Sequence, residues 1–218
     1  MGKIVSLHVG KPRQEHYETA TIETAFKRPA VAEAFLTING FNGDEVANKV
    51  HHGGPDRAIC FYPIEHYGFW EAKWGKQLPL PAFGENVLAE GMKEEEVFVG
   101  DVYRIGDAIV EITQGRVPCA KISHNNGVPE FLDSVLKTGL TGYFGRVLAE
   151  GTIKSGQTIH LMDRKQNKVS ILYANEILLQ GRDGLAGIDK LLEMEYLAAV
   201  WRKNLEKKRK KLVSITEA

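Results

Sequence analysis

Cys119 lies in the stretch QGRVPCAK, residues 114–121, with Arg116 three positions before it and Lys121 two positions after. Pro118 forces Val117 out of the helical region, so the cysteine follows an extended segment. With Arg116 and Lys121 close by, the setting would be electropositive, and a thiol there can act as nucleophile, redox group or soft-metal ligand. A small buried packing residue is the competing reading, and this segment alone leaves both open.

Two other stretches carry chemistry-bearing residues. In KVHHGGPDRAICFYP, residues 49–63, His51 and His52 are adjacent and would face opposite sides of a strand, so unaided they make no metal pair. Gly53 and Gly54 expose backbone amides and permit positive φ, the geometry of an anion-binding nest. Asp56 adds an acceptor and Arg57 a fork suited to phosphate, while Cys60 falls in the apolar run AICFY and is expected in the core. In PAFGENV, residues 81–87, Gly84 allows a close backbone approach and Asn86 brings both a donor and an acceptor. No phosphate-binding G-x-x-x-x-G-K-[ST] loop, dinucleotide fingerprint or G-x-S-x-G elbow is present. A Cys–His pair involving His51, His52 or His124 stays open.

The 218 residues that must position these groups are 43% hydrophobic and 26% charged, with zero formal net charge and two cysteines. That is ordinary globular material, without a global field for nucleic acid or an acidic membrane and without a disulfide framework. Gly2 and Ser6 fit a loose myristoylation pattern, but Ile4, Val5, Leu7 and Val9 read as a first strand; the expected location is the cytoplasm.

Up to about residue 167, short apolar runs punctuated by Gly and Pro predict many short strands. Val102, Ile105, Ile109 and Ile112 flank the turn Gly106-Asp107 as a hairpin. A further set around Gly151 and Ser155-Gly156 has Ile153, Ile159 and Leu161 as core candidates. Two helices interrupt: Ile64, Tyr67, Trp70 and Trp74 ending at Gly75, and Val128, Phe131, Leu132 and Val135 ending at Gly139. From residue 168 to 218 the texture is helical, with Ser170 as a cap, Gly181 as a stop, and Leu191, Met194, Leu197 and Trp201 at helical spacing. The expected fold is therefore mainly β with some α, a β domain over 1–167 followed by a small helical domain over 168–218. The basic run at Arg202-Lys203 and Lys207 to Lys211 reads as a solvated final helix whose cations complement its dipole, not as a nucleic-acid site.

Taken in order, GFNGDEVANKVHHGGPDRAICFYPIEHYGFW, PAFGENV and VGDVYRIGDAIVEITQGRVPCAKIS resemble the MOSC family, named for the C-terminal domain of molybdenum cofactor sulfurase, and most of all its YiiM-like branch. The resemblance spans nearly the whole chain. It implies a β-barrel with a C-terminal three-helix domain, holding the molybdenum cofactor, a pterin phosphate whose dithiolene carries the metal. It implies Cys119 as the molybdenum ligand and catalytic residue. His52, Gly53, Gly54, Asp56, Arg57 and Asn86 would shape the cofactor pocket, Arg116 and Lys121 would meet phosphate or metal oxo groups, and Lys27, in the pair Lys27-Arg28, would supply a further basic group. The activity implied is two-electron reduction of N-hydroxylated compounds, such as N-hydroxylated nucleobases, to the parent amine, with electrons from a separate reductase. A non-catalytic cofactor carrier and a persulfide carrier through Cys119 are the alternatives.

Overall fold

The computed structural model describes residues 1–17, 20–47 and 53–216. The chain opens with β1 (Gly2–His8), a β2–β3 hairpin (Arg13–Tyr17 and Ala20–Thr24), and the short strands β4 (Ala30–Val31), β5 (Glu33–Thr37) and β6 (Gly40–Phe41). After a 3-10 turn at Pro55–Arg57 come β7 (Ile59–Pro63), α1 (Glu65–Trp74), β8 (Val87–Glu90), and the hairpin β9 (Val102–Ile105) and β10 (Ala108–Gly115). Helices α2 (Lys121–Asn126) and α3 (Phe131–Thr138) lead to β11 (Tyr143–Ala149), β12 (Gly151–Lys154) and β13 (Thr158–Asp163). The chain then turns helical: α4 (Ile171–Asn175), which continues into a π turn over Glu176–Gln180, α5 (Gly184–Leu192) and α6 (Ala199–Thr216).

The sheet runs in the order β13-β9-β10-β11-β7-β8-β1, and β1 pairs back onto β13 to close a seven-stranded barrel. Closure removes the open edges that an isolated sheet of this length would present. Among the described residues β7 and β8 form the one parallel pair, with α1 carrying the chain across between them. All five residues of β7 are buried, as expected for a strand covered on both faces. Inside the barrel Ile4, Leu7, Ile105, Val110, Ile112, Tyr143 and Ile159 pack together. A second apolar cluster, outside β7 and β8, collects Trp70 from α1 and Phe131 and Val135 from α3 around Tyr62 and Phe83, whose rings stack at 3.6 Å.

The local signals hold where they rest on stereochemistry. Gly75 and Gly139 end α1 and α3 in the left-handed conformation, and their N–H groups donate to Glu71 and Val135 carbonyls. Ser170 caps α4 by accepting from the Tyr173 N–H. Leu161 departs from expectation. It shares the face of Ile159, but β1 reaches β13 only at Thr158 and Ile159, so Leu161 stands past the seam and is 42% exposed.

The helical segment continues the barrel core: Ile171, Ala174, Trp201 and Leu205 belong to the same apolar cluster as the strands. The contact is tightest at the end of β10. A Cβ on Gly115 would come within 1.7 Å of Asn175 Oδ1 and 3.1 Å of the Trp201 ring. The buried Asn175 amide donates to the Gly139 carbonyl and to Thr141 Oγ1, so it has little freedom to withdraw. Gly115→Ala should therefore lower stability by about 1–3 kcal/mol, the usual cost of overpacking. Gly68 sits inside α1 with nothing within 4 Å of its would-be Cβ, so Gly68→Ala should raise stability by about 0.5–1 kcal/mol. Urea unfolding of both variants checks the opposite signs; equal effects would contradict the packing described.

Candidate active site

One end of the barrel, the turn before β7 and the start of α6 enclose a cavity of about 920 Å³, open to solvent on one side. Pro118 holds off helix, α2 begins at Lys121, and residues 116–119 line the cavity as an irregular strap. The Arg116 N–H donates to the Gly142 carbonyl and fixes the near end of that strap. At its far end the Cys119 carbonyl accepts from Ile122 in the first turn of α2. Cys119 is a free, half-buried cysteine on the cavity wall. The Arg116 guanidinium lies 5.5 Å from the Phe26 ring centre, and its Nη1 is 3.9 Å from Cys60 Sγ. Lys121 lines the mouth and donates from Nζ to the Glu23 carbonyl of the β2–β3 hairpin. Opposite them stand Gly53, Gly54 and Arg57, with Gly54 at φ +109°, a conformation that suits glycine.

The floor is a satisfied polar network. Asn86 accepts from the Cys60 N–H at Oδ1, and its amide nitrogen donates to the His8 carbonyl and to Asp44 Oδ2. Arg28, almost wholly buried, donates from Nε to Asp44 Oδ1 at 2.6 Å and from Nη1 to the Gly84 carbonyl. One Asp44 carboxylate thus holds a buried guanidinium and an amide, and also accepts from the Gly10 N–H. Pairing of this kind is what makes a buried charge tolerable. Beneath it Glu85 is fully buried, accepting from Tyr67 Oη and the Phe83 N–H; burial pushes its carboxyl above the ordinary range.

Of the residues singled out in the sequence, Gly53, Gly54, Arg57, Asn86, Arg116, Cys119 and Lys121 come together around this cavity. Lys27 and Asp56 do not line it. Lys27 turns away to pair with Glu15, and the neighbouring Arg28 faces the cavity instead. Asp56 pairs with Arg146 and accepts from the Ala199 N–H at the start of α6, so it fixes the wall from behind. His52, like His51, lies outside the described residues. His124 packs its ring against Tyr17, and among the described residues no histidine lines the cavity. Cys60 is buried as expected, but it faces the cavity and belongs to neither apolar cluster.

Sequence reasoning named Arg28 only beside Lys27, and it missed Asp44, Gln114 and the α6 residues Val200, Trp201 and Asn204, all of which line the cavity. Trp201 was legible only as a core position, because its spacing says nothing of which core. Gln114 Oε1 and Trp201 Nε1 are buried and without a hydrogen-bond partner among the described residues. Among the described residues no three His, Cys, Asp or Glu side chains converge as a set to hold a bare metal ion.

His8 ties β1 to the floor: its Nδ1 faces the Arg28 carbonyl, which can accept from it, and its Nε2 lies 2.8 Å from Ser6 Oγ. Burial holds its pKa below the ordinary 6.5; the hydrogen bond to Arg28 opposes this and the Arg28 charge adds to it. The unfolded chain therefore takes the proton first, and the stabilisation is complete above pH 6.5 and lost as pH falls through the folded value. Urea unfolding across that window should show a steeper loss of stability in the native chain than in His8→Gln. Parallel slopes would contradict it.

The MOSC domain family matches residues 48–160. Over 213 residues, 97% of this chain and 96% of the other, it is 39% identical to the uncharacterized protein YflK of Bacillus subtilis. The crystal structure of YiiM from Geobacillus stearothermophilus superposes with a TM-score of 0.80 at 32% identity, covering 96% of this chain and all of that one. A protein of Gibberella moniliformis named a reductase is 30% identical over 181 residues, 81% of this chain but 32% of its own length. Barrel, helical tail and matched residues agree: the chain belongs to the MOSC domain family, as a YiiM-like member.

Proposed function

We propose that the cavity holds the molybdenum cofactor and that the protein reduces N-hydroxylated compounds, N-hydroxylated nucleobases among them, to the parent amine. One observation carries this reading: a free thiol shares one cavity with a set of cations. Each part of such a cofactor has a counterpart there. The phosphate suits Arg57, Arg116, Lys121 and the backbone amides of Gly53 and Gly54. The pterin edge, which carries both donors and acceptors, suits the exposed Asn204 amide on the cavity wall. The metal suits Cys119, since a soft dithiolene-bound centre matches a thiolate, and a cofactor that brings its own ligands needs only one from the protein. At about 920 Å³ the space falls in the range of cofactor sites.

When bound, this group supplies the two-electron reducing centre that cleavage of an N–O bond needs. The net reaction consumes two electrons and two protons and releases amine and water. The chain's own part is to bind and orient. Arg28, Asp44 and Asn86 make a hydrogen-bonded floor, and Arg116 and Lys121 on the cavity wall are the groups to meet anionic parts of the ligand. The strap 116–119 holds Cys119 in place through the Gly142 contact. The relative named a reductase supports redox use of the fold. No flavin, haem or iron–sulfur motif is found in the sequence, so the electrons come from a separate reductase. No helix among the described residues is long and apolar enough to cross a membrane.

The test is turnover of an N-hydroxylated base by protein from a cofactor-competent host, with viologen radical as electron source and bound pterin measured in parallel. Cys119→Ala should lose about 100-fold or more in rate, beyond the 10–100-fold cost of disturbing a ligand's outer partners, while keeping the pterin held by the cations. Full turnover in Cys119→Ala would overturn the ligand assignment. Bound pterin without turnover in the native protein would favour a carrier.

A further inference from the structure

Helix α6 carries seven cations against a single acid, Glu206. Three of the cations are used within the fold. Arg202 donates to the Leu192 and Met194 carbonyls, Lys208 to the Leu178 carbonyl, and Arg209 pairs with Asp189. Lys203, Lys207, Lys210 and Lys211 are exposed and take no ion pair or side-chain hydrogen bond among the described residues. The helix dipole does not account for them. The helix runs on to Thr216 with no basic residue in its last turn, and the dipole acts only within that turn.

Position gives the stripe a meaning. Val200 and Asn204 form part of the cavity wall, and at helical spacing Val200, Asn204, Lys207 and Lys211 share one face. The stripe thus starts at the cavity lip and runs about 10 Å along the helix beyond Asn204. Because the whole chain has no net charge, this local field is what would orient an approaching partner. No aromatic residue follows Trp201, which speaks against single-stranded nucleic acid, and no long apolar face accompanies the lysines, which speaks against a membrane surface.

We propose that the lysine stripe of α6 is the docking surface for an acidic, electron-carrying protein that delivers electrons to the cavity beside it. This rests on the reductase reading, since that reaction needs two electrons from outside the chain. The donor would place its acidic rim on Lys203, Lys207 and Lys211 and its redox group towards the lip at Asn204.

The experiment uses the full-length, cofactor-loaded protein, with reduced flavodoxin, an acidic flavin protein, as the probe. A triple variant, Lys203→Glu, Lys207→Glu and Lys211→Glu, changes exposed residues only, and circular dichroism verifies its fold. Binding of flavodoxin should weaken about tenfold or more and lose its dependence on salt, while turnover driven by viologen radical stays within about twofold of native. Unchanged flavodoxin binding in the variant would overturn the proposal. So would lysine-dependent binding of single-stranded RNA or anionic vesicles with no binding of flavodoxin. Lysine-dependent flavodoxin binding in a protein that shows no viologen-driven turnover would support the docking surface and count against the reductase reading alone.

Discussion

The side-chain amide of Asn86 is the point on which the candidate site depends. It sits where β7, β8 and the end of β1 meet, and its three hydrogen bonds reach the Cys60 N–H, the His8 carbonyl and Asp44. Its own backbone pairs with the same two neighbours, as His8 N–H donates to it and its N–H donates to Cys60. A buried amide with both N–H groups and its oxygen engaged is a rigid junction, because any shift would leave a polar group unpaired away from water. Asp44 extends the junction to Arg28, and through Arg28 to Gly84. The cavity floor is therefore set by hydrogen-bond geometry and not by loop packing alone.

The opposite wall is built on a different principle. Helix α6 enters the main apolar core through Trp201 and Leu205, and Asp56 and Arg146 hold its start from behind. The close fit of Gly115 against Asn175 and Trp201 brings the end of β10 and the helical segment to a single distance. The strap with Cys119 begins one residue later. Packing of the helical tail and placement of the thiol are thus mechanically linked, although the two segments lie about 80 residues apart in the chain.

Much of this was legible in the sequence, for identifiable reasons. Turn glycines, the Ser170 cap and the hairpin at Gly106-Asp107 are local stereochemistry and need no knowledge of the fold. The mixed fold and the MOSC family follow from the ordered motifs, and Cys119, Arg116 and Lys121 stood out because charge, proline and thiol occur in one short stretch. What stayed hidden depends on long-range geometry. Whether Lys27 or Arg28 faces inward is decided in the loop between β3 and β4 by their partners, Glu15 for Lys27 and Asp44, 16 residues beyond Arg28, for Arg28. Asp56 reads as a pocket residue until the N–H of Ala199 is seen to claim it. Leu161 obeys its strand pattern yet lies beyond the point where β1 closes the barrel.

The central claim is that Cys119 supplies a sulfur ligand to a cofactor-borne metal in this cavity. X-ray absorption at the molybdenum edge of the loaded protein, native and Cys119→Ala, tests it most directly. The account predicts molybdenum in both, with one sulfur neighbour fewer in the variant. An identical sulfur shell in the two proteins, or no molybdenum bound to native protein from a cofactor-competent host, would contradict it.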